Sequence, residues 1–126
     1  MTLNAIAQAL LEWMRMHDVA LHYTDSDQPT GYWSADWEEI SRFYTEEDRI
    51  PKAVIVVPRK GGSLDRVELL LHECVHVYRY LAGVDITDVQ VEEAVAYLAT
   101  YLTIGLAFRG PGCEHIYASG YEWSTT

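Results

Sequence analysis

From Leu3 to His17 the apolar residues Leu3, Ile6, Leu10, Trp13 and Met14 recur at intervals of three and four, which is one face of an α-helix, and Thr2 is placed to cap its start. Val19 to Tyr23 then alternates with β-favouring residues. The stretch Asp25-Ser26-Asp27-Gln28-Pro29-Thr30-Gly31 is turn chemistry, and a second aromatic run follows at Tyr32-Trp33. This order predicts a hairpin. Asp36 to Tyr44 predicts a short helix, with Asp36 and Glu39 as a capping box and Trp37, Ile40, Phe43 and Tyr44 on one stripe, although the aromatics would also suit a strand.

After Pro51 the run Ala53-Val54-Ile55-Val56-Val57 is continuously apolar, largely β-branched and stopped by Pro58, so it predicts a strand buried on at least one face. Lys60-Gly61-Gly62 turns the chain. Ser63 is the predicted cap of a helix with Asp65 in its first turn, running to Leu81-Ala82 and stopped by Gly83. Thr87-Asp88-Val89-Gln90 has the form of a capping box opening another helix, which can continue to about Phe108 before Gly110 and Pro111. Gly112 to Thr126 reads as loop. The expected fold class is α+β: an N-terminal helix, a small sheet of about three strands, and two helices behind it.

Composition narrows the picture. At 126 residues and 49% hydrophobic content, the chain is one domain's worth, 1–126, with a single core and no repeat or linker. Cys74 and Cys113 are too few for a disulfide framework and are expected as free thiols. No apolar run reaches membrane length, and Met1 to Asp18 lacks a basic start and a small-residue cleavage site, so a cytoplasmic protein is expected, with no membrane partner. The formal charge of −10, from 19 acids against 9 Lys and Arg, repels phosphate and argues against direct nucleic-acid binding. That charge is chiefly a matter of solubility.

The chemistry lies in His72-Glu73-Cys74-Val75-His76. Residues four apart on a helix share a face, so His72 and His76 can both turn imidazole nitrogens to one ion, with Glu73 flanking the same face. Zinc there needs two neutral nitrogens, a further protein ligand, and a carboxylate beside the open position to move protons. The next helix opens Val91-Glu92-Glu93-Ala94, with no charge from Ala94 to Leu106. A carboxylate heading such an apolar helix calls for a partner, and a metal on the preceding helix would serve. Glu92 and Glu93 lie about 100° apart on the helix, and position alone does not choose between them.

These residues resemble the gluzincin metallopeptidases, in which HExxH on one helix is completed by a glutamate on the next, and most of all the ImmA/IrrE-type peptidases and the peptidase domain of ArdC-type antirestriction proteins. The resemblance spans about residues 53 to 102: a strand ending Val56-Val57-Pro58, then Leu70-Leu71-His72-Glu73-Cys74-Val75-His76, then Glu92-Glu93-Ala94 leading into Tyr97-Leu98-Ala99. It implies a minimal zincin-like domain that hydrolyses a peptide or protein substrate lying along the outer strand. Zn2+ would be held by His72, His76 and Glu93, the last because the family's ligand glutamate stands directly before a small residue. Glu73 would be general base and then acid. Two departures stand out: Cys74-Val75 replaces the usual Leu or Phe followed by Gly or Ala, and Tyr97 replaces an aspartate that in some gluzincins orients a histidine.

The remaining candidates are weaker. Glu68, one turn before His72, reads as a solvated glutamate or an orienting one, and Cys74 as a small core residue. His115, Tyr117 or Tyr121 in the tail could stabilise an oxyanion, Cys113 and His115 make a feeble metal pair, and His17 and His22 belong to no constellation. A di-iron carboxylate site needs a second Glu-x-x-His, which is missing. The main rival is a non-enzymatic acidic interaction or antirestriction-type protein with a structural or vestigial zinc site. An intact Glu73 argues against it.

Overall fold

The computed structural model describes residues 2–28 and 30–104. The architecture is α+β: a mixed sheet of three strands with helices packed against it. Helix α1 spans Leu3–Met16, and Thr2 caps it as predicted, its hydroxyl oxygen accepting from the Ala5 amide at 3.1 Å. Strand β1 is Val19–Thr24, β2 is Tyr32–Ser34 and β3 is Ala53–Pro58. Helix α2, Trp37–Ile40, is the short helix expected between β2 and β3. Helix α3 is Ser63–Leu81 and α4 is Val89–Thr100.

The predicted hairpin between the first two strands does not form. The sheet order is β1-β3-β2: β3 lies between them, parallel to β1 (Leu21 opposite Ile55) and antiparallel to β2 (Trp33 opposite Ile55). The reason is burial. Every residue of β3 is buried, so this strand needs cover on both faces and both edges, whereas β1 and β2 carry exposed residues that suit edge positions.

Alternation along β3 sends Ala53, Ile55 and Val57 into the main core with Met14 of α1 and Leu69, Leu70, Cys74 and Val77 of α3. Val54 and Val56 face the other way, as does His22 of β1, whose ring stacks on Phe43 at 4.2 Å and meets the Tyr44 hydroxyl at 2.9 Å through Nε2. His22 is therefore a structural histidine. A second cluster, Ile6, Val67, Leu71 and Ile104, ties the chain beyond α4 to α1 and α3.

Two predicted caps shift, and a third keeps its place without its side-chain bond. Asp36 caps α2 only through its backbone, its side chain making no cap bond, so the expected box with Glu39 is absent. Gly62, not Ser63, is the N-cap of α3. Asp88, not Thr87, caps α4, accepting from the Val91 amide at 3.2 Å, while the Thr87 hydroxyl donates to Asp85. Helix α3 stops where expected. Gly83 adopts φ +77°, its amide donating to Tyr80 and the Val84 amide to Arg79, a Schellman closure that reverses the chain. Regular α-geometry in α4 ends at Thr100, followed by one wider turn at 101–104, so the expected continuation to Phe108 is described only that far. No helix among the described residues is long and apolar enough to cross a membrane.

Burial in α4 does not follow apolarity. Its buried residues are Glu92, Ala96 and Thr100, one stripe at four-residue spacing, while Val91 and Leu98 are exposed. Polar attraction sets this orientation: Glu92 and Glu93 both bond to side chains of α3, which turns the small and acidic face inward.

Candidate metal centre

The reversal at Gly83 sends α4 back antiparallel along α3. Three pairings mark the register: Arg79 with Glu92, His76 with Glu93, and His72 with Tyr97, whose ring centroid lies 4.6 Å from the imidazole. Helical spacing on α3 stacks His72 and His76, and their Nε2 atoms stand 3.1 Å apart. The Glu93 carboxylate meets both, Oε2 at 3.1 Å from His72 Nε2 and Oε1 at 3.0 Å from His76 Nε2. His76 is 3% exposed and His72 12%, whereas Glu93 is 44% exposed and forms the open side of the cluster.

Glu73 completes the group. Ligand-type atoms of His72, Glu73 and His76 all lie within 4.8 Å of one another, an arrangement that could hold a metal ion. Its Oε2 is the one buried side-chain nitrogen or oxygen among the described residues without a hydrogen-bond partner. Burial, and then the nearby Glu93 charge, push the Glu73 carboxyl up to about 8, so at neutral pH it holds a proton. Burial and the His76 ring together lower the basicity of His72, keeping it neutral.

Glu92 has a different role from its neighbour. Its Oε2 lies 2.7 Å from His76 Nδ1, the ring nitrogen turned away from the cluster, and its Oε1 accepts from Arg79 Nε at 2.7 Å. Burial is the largest single influence on this carboxyl and raises it, but hydrogen bonds from Arg79 and His76 outweigh it, and Glu92 stays below the ordinary carboxylate range. Glu92 is thus ionised, and His76 Nδ1 carries the hydrogen it receives. In the neutral ring this tautomer leaves the Nε2 lone pair free.

The donor set can be tested against a cation on these contacts. His72 Nε2, His76 Nε2 and the Glu93 carboxylate converge with separations of 3.0 to 3.1 Å. Ligand atoms about 2.1 Å from one tetrahedral ion lie roughly 3.4 Å apart. A neutral His76 protonated at Nδ1 has no Nε2 hydrogen to give, and the Glu73 oxygen is left without a partner. A divalent cation would satisfy both. The residues present fit a metal.

Of the sequence candidates, the structure brings His72, Glu73, His76 and Glu93 together. Glu92 points to the second nitrogen of His76, so of the two acidic residues only Glu93 reaches both Nε2 atoms. Glu68 is buried at 6%, not solvated. Cys74 belongs to the main core, where burial first and Glu73 second push its thiol up to about 12. Cys113, His115, Tyr117 and Tyr121 lie outside the described residues.

Two residues escaped the sequence reading. Arg79 is three positions beyond His76, so it faces the same neighbouring helix, and an unassigned arginine at that spacing was the available signal. Gly31, read as turn chemistry, packs against the site: a Cβ there would come 2.9 Å from the Val56 carbonyl oxygen and 3.7 Å from Glu73 Cγ. No local pattern announces such an approach. Comparisons with protein-family models, with curated proteins and with solved structures return no match to this chain.

Proposed function

We propose that this chain is a zinc-dependent peptidase of the gluzincin kind, with His72, His76 and Glu93 as metal ligands and Glu73 as general base and then general acid. The observation that carries this reading is the meeting of both Nε2 atoms and the Glu93 carboxylate within 3.1 Å, beside a buried Glu73 oxygen that has no other partner. Two nitrogens and one carboxylate from adjacent helices are the donor set of a hydrolytic zinc site, in which one position stays open. Bound zinc would supply Lewis acidity, polarising a carbonyl oxygen and bringing the pKa of water down towards about 7.

The chain's own groups do the rest. His72 and His76 present neutral nitrogens from a rigid helix whose other face is locked in the core by Leu69, Leu70 and Val77. Glu93 supplies negative charge from the open side, which leaves room for a substrate to approach. Burial holds the Glu73 carboxyl near neutrality, and in its ionised form, which the charge of a bound cation would favour, it takes a proton from the attacking water and returns it to the leaving amine. Its fixed place beneath Gly31 spares reorganisation during the step.

The test is cleavage of a diverse peptide mixture by the zinc-loaded chain and by Glu73→Gln, read by mass spectrometry. The expected result is cleavage by the wild type alone, with zinc retained by the variant. Equal cleavage by both, or none by a wild type that holds zinc, would contradict the peptidase reading.

A further inference from the structure

Arg79 and Glu92 form a chain of contacts that ends on the buried nitrogen of His76. Arg79 Nε lies 2.7 Å from Glu92 Oε1, and Glu92 Oε2 lies 2.7 Å from His76 Nδ1. Both carboxylate oxygens are thus used, one by each partner, and the Glu92 side chain is 7% exposed. An ionised carboxylate placed this way stays put only with a fixed positive partner, and the Arg79 side chain, 22% exposed, is that partner. A histidine side chain free in water prefers to carry its hydrogen on Nε2, so a fixed acceptor at Nδ1 selects the less common tautomer. That tautomer leaves Nε2 bare towards His72 and Glu93.

We infer that Glu92, held in place by Arg79, is a positioning residue that fixes the tautomer and ring orientation of His76 and thereby sets the affinity of the cluster for a divalent cation. The inference rests on the metal-binding reading of the cluster, but its first link does not need the metal. A negative charge behind a ligating imidazole also increases the electron density at the ligating nitrogen, and outer partners of this kind change metal affinity by about 10- to 100-fold. Contacts of Glu92 and Glu93 divide the work: one glutamate faces the outer nitrogen of a histidine, the next faces the inner ones. Consecutive residues can do this because they lie about 100° apart on α4.

The experiment has two arms. In the first, nitrogen-15 correlation spectra of the metal-free wild type at pH 7 report where His76 carries its proton. Hydrogen on Nδ1 is expected, and hydrogen on Nε2 would overturn the inference without any variant being made. In the second, zinc affinity is measured by competition with a chromophoric chelator for wild type, Glu92→Gln, Arg79→Gln and the surface control Arg42→Gln, each checked for fold by circular dichroism. Folded Glu92→Gln and Arg79→Gln should bind zinc about 10- to 100-fold more weakly, with the control unchanged. Affinities within twofold of wild type would overturn the inference while leaving the metal site standing. A wild type that takes up no zinc would sink the reading of the site itself, and the spectra would still decide the tautomer.

Discussion

His72 and His76 present their Nε2 atoms to each other at 3.1 Å, an arrangement in which at most one of the two can carry a hydrogen between them. Two rings held this close by one helix gain most from a shared cation. Removing either ring should therefore cost far more metal affinity than disturbing a residue behind it. His72→Ala and His76→Ala are each expected to weaken zinc binding by more than about 100-fold, beyond the range of outer-sphere changes. Isothermal titration or chelator competition reads this directly, and retention of wild-type affinity by either variant would remove that residue from the ligand set.

The metal-free protein should lose stability as pH rises, through Glu73. Its folded carboxyl titrates at about 8 against an ordinary 4.5, so between those values the folded state binds a proton that the unfolded state has released. Stability is then greatest below about pH 4.5 for this group and declines towards pH 8, by at most about 5 kcal/mol. His72, His76 and Glu93 lie beside the same carboxyl, so the comparison is with Glu73→Gln. The stability difference between variant and wild type, from urea unfolding in chelator, should grow in favour of the glutamine across that window. A constant difference would show that Glu73 is not held protonated.

Gly31 should tolerate no side chain. A methyl group there would stand 2.9 Å from the Val56 carbonyl oxygen, a backbone atom in the central strand, so β2 must move off β3 or the sheet must distort. Gly31→Ala is expected to destabilise by about 1–3 kcal/mol and to weaken zinc-dependent activity by disturbing the packing over Glu73. Gly83→Ala is the control. Its cost of about 1–2 kcal/mol comes from φ +77° alone, with open space around the new atom and no effect expected at the site. Activity at the wild-type level in a folded Gly31→Ala would contradict the link.

Cys74 sits inside the HExxH motif yet should be chemically silent. It is 4% exposed, packed in the main core, and its thiol is pushed up to about 12, so almost no thiolate exists at pH 8. Alkylation of the native protein followed by peptide mapping should leave Cys74 unmodified until denaturant is added. Modification at the rate of a free thiol would show that the core around α3 opens.

The parts of this fold that were legible in the sequence are those fixed by local pattern. Intervals of three and four apolar residues located α1, the unbroken run from Ala53 located β3, and the Lys60-Gly61-Gly62 and Gly83 breaks bounded α3. The pairing of strands was not local. Proximity in sequence favoured joining β1 to β2, but β3 needed burial on all sides and took the centre. In the site, helical spacing brought His72 and His76 together, whereas the choice between Glu92 and Glu93 depended on how α4 is rotated against α3. That rotation is set by Arg79 as much as by the histidines, a tertiary contact whose one trace in the sequence is the spacing of Arg79 from His76. Apolarity would not have revealed it, since Val91 and Leu98 are exposed and Glu92 is inside.

The most direct check on the account is the zinc content of the protein, prepared without a metal-binding tag and dialysed against buffered free zinc, for wild type, His72→Ala, Glu93→Gln and Glu73→Gln. Elemental analysis should find one zinc per chain in the wild type and in Glu73→Gln, and a clear loss in the other two. No zinc in a folded wild type, or full occupancy in His72→Ala, would contradict the claim that His72, His76 and Glu93 hold a metal.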